Sequence, residues 1–237
     1  MFDGMILTAL AVGFVLGLRH ALDPDHIVAV STIVSECKSF RRSSLVGTFW
    51  GLGHTLSLLL VGLAVLSFKL NLSERMAVWL EFVVALMLVA LGIRAVATAV
   101  RRWKLHAHAH EHDGQKHVHL HVHRPGEVDI HRHRHVLGIG MRPFIVGMVH
   151  GLAGSAGLML LVLATIPSAL VGMVYIGVFG VGSIGGMFLM SSVISLPFLL
   201  VGRRLSLFGK VLQASVGVVS VVFGLYLIWQ YGVTGLG

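Results

Sequence analysis

Charge is scarce in this sequence. Only 12% of its 237 residues are Asp, Glu, Lys or Arg, about half the share of an ordinary soluble domain. Between Pro143 and Gly202 there is none at all. At about 1.5 Å per residue that run is far too long for one buried core helix, which excludes a conventional water-soluble fold. Cysteine is nearly missing. Cys37 alone rules out a disulfide framework within the chain and any cysteine-based zinc or iron–sulfur site. Acidic residues number 10 against 18 basic ones, yet no basic stripe interleaved with aromatics is present, so the excess charge does not indicate nucleic acid. An ATP-binding P-loop and an HExxH box are absent too, which argues against an ATP-driven pump and a zinc-peptidase-like membrane enzyme. The N-terminus has no positive n-region, so the first apolar segment is expected to be retained.

What remains is apolar: 56% of residues are hydrophobic and the mean hydropathy is +0.88. The composition predicts an all-α integral membrane protein. Six spans account for the runs, near Gly4–Ser35, Ser44–Phe68, Met76–Val100, Val136–Thr165, Ser168–Val201 and Leu205–Tyr231; two half-helices in the fifth run would make seven. Lys38, Arg41 and Arg42, then Arg101, Arg102 and Lys104, then Arg203, Arg204 and Lys210 mark three loops on one side. The other side has Lys69 and Arg75, offset in part by Glu74 and Asp3. The positive-inside rule then puts both termini outside the plasma (inner) membrane and the three basic loops in the cytoplasm. An even number of spans satisfies this.

The halves look alike. Gly17-Leu-Arg-His20-Ala-Leu22 matches Gly147-Met-Val-His150-Gly-Leu152, and Trp50-Gly-Leu-Gly53-His54 matches Phe179-Gly-Val-Gly182-Ser183. Three spans per half means that the halves enter the membrane from opposite sides, so the expected architecture is a 3+3 inverted-topology repeat with substrate near its interface. The chain divides accordingly: 1–104 for the first repeat, 105–135 for a histidine-rich loop, and 136–237 for the second.

The chemistry concentrates in Arg19-His-Ala-Leu-Asp-Pro-Asp-His26. Carboxylates and an arginine at membrane depth cost roughly 2.5–3.5 kcal/mol each and persist where an ion path or a buried pair offsets that cost. Pro24 clashes with the carbonyl of His20 and bars Asp23 from helical geometry, so the helix is expected to break there, with Asp23 at the N-cap of a new half-helix. Such breaks are how transporters build ion sites. Imidazole with carboxylate and without thiolate suits Ni2+, Co2+, Zn2+ or Fe2+. The metal candidates are His20, Asp23, Asp25, His26 and, on the next span, where Gly51 and Gly53 leave room around it, His54. Against these stand plainer roles: an Arg19–Asp23 ion pair, Asp23 as a cap alone, and His54 as a packing residue. Weaker candidates for the path or for coupling are Arg19, Glu81, His150 and Ser183. His150 has no carboxylate neighbours, and Ser183 replaces His54 in the second half. Arg94 is read as structural, snorkelling to the cytoplasm.

Eleven of fifteen histidines lie in the loop: His106, His108, His110, His112, His117, His119, His121, His123, His131, His133 and His135. The segment is polar, is expected to be disordered, and reads either as a weak metal buffer or as a dispensable tract.

The stretches RHALDPDHIVAVSTI and FWGLGHTLSLLLVG resemble the nickel/cobalt transporter family, in particular its shorter, urease-accessory-type members. The family hallmark is His-Ala-x-Asp-x-Asp-His in one span, followed by a span containing Gly-His. The resemblance implies that His20, Asp23, Asp25, His26 and His54 form the metal site. It is specific over Gly17–Gly62 and general beyond. Pro24 departs from the small residue usual between the aspartates, and GMVHGLAGSAG stands where larger members have acidic residues; the histidine loop resembles that of some metal exporters. The expected function is secondary transport of Ni2+ or Co2+ as substrate, with no organic cofactor. Lipid, the divalent ion and cytoplasmic metallochaperones are its expected partners. Uptake, export and a non-transporting metal-binding subunit remain open, as does the oligomeric state.

Overall fold

A computed structural model describes residues 2–37, 39–68, 73–101, 106–112, 115–121, 136–153, 169–204 and 206–234. The helices are α1 (Phe2–His20), α2 (Pro24–Val34), α3 (Phe40–Phe68), α4 (Glu74–Arg101), α5 (Val136–Ala153), α6 (Ala169–Arg204) and α7 (Ser206–Thr234). Among the described residues, four stretches are long and apolar enough to cross a membrane: Phe40–Val65, Arg75–Arg101, Leu170–Leu200 and Leu207–Gly232. The fifth apolar run does not split. Pro197 lies inside α6, near its end, without terminating it. The end of the fourth expected span falls outside the described residues.

The predicted break is present. Asp23 has extended geometry, with φ −62° and ψ 143°, and Pro24 opens α2. The Asp23 carboxylate, however, makes no capping hydrogen bond, because it is engaged by His20 instead.

Large apolar side chains such as Leu60, Leu63, Leu189, Val193, Val222 and Trp229 face outward, while Ser44, Ser57, Ser191, Ser192 and Ser220 are buried. This reverses the soluble pattern and fits lipid as the solvent. Inside a bilayer there is no hydrophobic drive between helices, so close approach and hydrogen bonds must join them. Ser44 Oγ and Ser192 Oγ are 2.8 Å apart, and Ser220 Oγ donates to the Leu88 carbonyl at 2.8 Å. Glycines make the closest approaches. A Cβ on Gly17 would overlap the carbonyl oxygen of Phe179, and one on Gly147 that of Trp50; on Gly53 it would overlap Phe144 O, and on Gly182, Phe14 O.

These contacts also give the helix directions. Gly13 meets Tyr175 and Gly17 meets Phe179, so α1 and α6 run parallel. Phe49 meets Gly140 and Ser57 meets Gly151, so α3 and α5 do too. Gly51 faces Ile184 and Thr55 faces Gly180, which makes α3 and α6 antiparallel; Gly92 with Gly217 and Ala85 with Gly224 do the same for α4 and α7.

The histidine tract departs from the expected disorder over its first part. His106–His112 (β1) and Gln115–His121 (β2) form an antiparallel hairpin pairing His106 with His121, His108 with His119, and His110 with His117. The sequence supplies the reason. Alternation is the period of a strand, and Asp113-Gly114, between the two runs, is a favoured two-residue hairpin connection. His123, His131, His133 and His135 lie outside the described residues.

Candidate metal centre

The break in the first apolar segment turns the end of α1 and the start of α2 toward α3 and α5. His20, the last residue of α1, brings its Nε2 to 3.2 Å from His54 Nε2 on α3. His26 sits one turn into α2, with ring centroids 4.7 Å from His20, 5.2 Å from His54 and 4.1 Å from His150 on α5. His26, His54 and His150 are fully buried. Phe179 lies against His20 at 5.5 Å, and Trp50 against His150 at 5.6 Å.

The aspartates hold these rings. Asp23 Oδ2 is 2.8 Å from His20 Nδ1. Asp25 Oδ1 is 3.2 Å from His26 Nδ1, and Asp25 Oδ2 is 2.8 Å from His150 Nε2. A neutral imidazole that donates one N–H to a carboxylate presents a lone pair on its other nitrogen. His20 thereby offers Nε2, His26 offers Nε2 and His150 offers Nδ1. The buried atoms His26 Nε2, His54 Nδ1 and His150 Nδ1 have no hydrogen-bond partner among the described residues. An unpaired buried polar atom costs about 1–3 kcal/mol, and a cation among these lone pairs would offset that cost. Among the described residues, two groups have ligand atoms within 4.8 Å of one another: His20, His26 and His54, and Asp25, His26 and His150.

Each sequence-derived candidate can now be located. His20, His26 and His54 converge, with Asp23 and Asp25 directly behind them. Asp23 is bound to His20 rather than to Arg19, which is exposed. Gly51 and Gly53, in the turn before His54, do not leave space around it. Gly53 admits the backbone of α5 at Phe144, and Gly51 admits Ile184 of α6, so His54 is clamped. Ser183 is buried beside Gly17 with an unpaired Oγ. Glu81 pairs with Tyr231 between α4 and α7, within electrostatic reach of Asp25 and His150. Arg94 does not simply snorkel; its Nε is 3.5 Å from Glu36 Oε1, and Arg142 Nη1 is 3.3 Å from Glu36 Oε2.

His150 was undervalued from sequence because nothing acidic adjoins it in the chain. Its carboxylate partner is 125 residues away. The available signal was its match to His20 across the repeated Gly-x-x-His motif.

A family profile described as high-affinity nickel-transport protein (NicO) matches residues 5–228. The chain is 38% identical to the urease accessory protein UreH of Bacillus sp. (strain TB-90), covering 97% of this chain and 94% of that one. It is 30% identical to the Arabidopsis thaliana chloroplast protein FOR GROWTH AND FERTILITY 1, covering 75% of this chain and 47% of that one. No solved structure matches.

Proposed function

This chain belongs to the NicO family of high-affinity nickel-transport proteins, and on that premise we propose that it is a secondary transporter that takes up Ni2+, or Co2+, through the buried histidine cluster. The observation that carries the reading is four histidines and two aspartates gathered where the first apolar segment breaks. Three imidazole lone pairs at contact distance are a site for a borderline divalent ion, whereas Ca2+ and Mg2+ require oxygen shells. Asp23 and Asp25 act as ligands or, through His20 and His26, as the groups that set ring tautomer and orientation.

Access alternates between the two membrane faces as the halves rock about the cluster. The 3+3 inverted repeat that this requires is supported by matched packing. Gly17 on the Phe179 carbonyl corresponds to Gly147 on that of Trp50, Gly182 on Phe14 corresponds to Gly53 on Phe144, and Gly51 on Ile184 corresponds to Gly180 on Thr55. Six spans in the plasma membrane put both termini outside and residues 105–135 in the cytoplasm, where the histidines collect arriving metal and hand it to metallochaperones.

Radioactive nickel accumulation in cells tests this. Accumulation above background that disappears with His20→Ala is expected. Accumulation below background, restored by the same substitution, would make the protein an exporter, and no difference in either direction would end the nickel reading. Deleting 106–135 is expected to leave the initial uptake rate at saturating nickel unchanged while lowering the nickel that purified protein retains; a lost initial rate would place the loop on the path itself.

A further inference from the structure

Two overlapping sets of ligand atoms meet in the centre, and the second has a composition of its own. His20, His26 and His54 supply three nitrogens; Asp25, His26 and His150 supply two nitrogens and a carboxylate oxygen. The first set leans on Phe179 and the second on Trp50. Trp50 is one turn from His54 along α3, toward the Phe40 end. The two sets are therefore displaced from one another along the direction of α3.

Resting on the function proposed above, we propose that Asp25, His26 and His150 form a second cation position, occupied in turn with the first, and that His26 is the ligand common to both. Two dications separated by little more than one imidazole would repel strongly, so one ion moves between positions. The protons balance without an external acceptor. At the first position His26 uses Nε2 and keeps its proton on Nδ1, toward Asp25. At the second it uses Nδ1, with the proton transferred to Nε2, while His150 binds through Nε2 and carries its proton on Nδ1. His26 Nε2 and His150 Nδ1 are both buried and unpaired. The carboxylate at the second position offsets the ion's charge directly, where the first has three neutral rings. This position takes a borderline divalent ion of the Ni2+, Co2+ or Zn2+ type.

The test is equilibrium binding of 63Ni2+ to protein purified without residues 106–135, whose histidines would otherwise mask the count. Parent protein is expected to bind one ion per chain. His20→Gln/His54→Gln should still bind one, about 10- to 100-fold more weakly. His150→Gln, whose amide can keep the hydrogen bond to Asp25, should bind one with nearly parental affinity, and the triple variant should bind none. No binding by the double variant, with parental binding by His150→Gln, would overturn the second position and leave the proposed function standing. No binding by the parent, or undiminished binding by the triple variant, would instead remove the intramembrane site and both proposals with it. If the double variant does not fold, His20→Gln alone replaces it, because His54 is the clamped residue; there too, binding must become dependent on His150.

Discussion

Replacing His26 with alanine should reduce nickel uptake to background. His26 is fully buried, within reach of His20, His54 and His150, and belongs to both ligand groups. Removing a group that merely orients a metal ligand typically costs about 10- to 100-fold in affinity. Loss of the shared ligand should exceed that, at least about 100-fold. Asp23→Asn is the internal comparison. Asp23 is half-exposed and touches the ion path through His20, so its loss should fall within the range for an orienting group, about 10-fold. Size-exclusion profiles separate this from misfolding, and His26→Gln, which refills the volume, should be as inactive as the alanine. Uptake by the glutamine variant at parental rates would show that the histidine cluster does not carry the ion.

Gly53→Ala should destabilise the protein severely. The added Cβ would overlap the carbonyl oxygen of Phe144, a backbone atom that cannot turn aside as a side chain can. Overpacking usually costs about 1–3 kcal/mol, and here relief requires moving α5 away from α3, the contact that also sets His54 against His150. Gly182→Ala, which meets Phe14 O in the same manner, should cost a similar amount. Gly177→Ala and Gly232→Ala are the controls, since a Cβ there meets nothing within 4 Å. Helical positions with open space for a Cβ should gain from alanine by up to about 1 kcal/mol. Thermal unfolding in detergent should therefore separate the four variants into two pairs. Equal midpoints for Gly53→Ala and Gly177→Ala would mean that α3 and α5 are not in backbone contact.

The features readable from sequence were those set by short-range chain rules. Pro24 dictates a break because its ring and missing N–H act on residues within one turn, and α2 begins there. Apolar runs give the helices, and His20, His26 and His54 stand out because polar groups at that depth are costly. Long-range geometry was less legible. That Asp25 turns one oxygen to His26 and the other to His150 depends on α5 sliding against α3 through glycine contacts, which no local pattern encodes. The Glu36 pairings with Arg94 and Arg142 join three segments and are invisible to any window of the chain. The hairpin is the opposite case. Its Asp113-Gly114 signal is local, but the polarity of the tract obscured it.

The short helix α2 is tied twice to α5, near its start through Asp25 and His150 and just past its end through Glu36 and Arg142. Eleven residues of helix put these ties about 16 Å apart. Two separated pins on one rod suppress its rotation as well as its translation. The covalent link to α1 is the non-helical turn at Ala21–Asp23, closed by backbone hydrogen bonds from Ala21, Leu22 and Asp23 back to α1. Mechanically, then, α2 is fastened at both ends to α5 by polar ties while its length packs against α4, α6 and α7, although it is encoded with α1. The joint in the first apolar segment therefore falls inside the centre itself, between His20 on one side and His26 on the other.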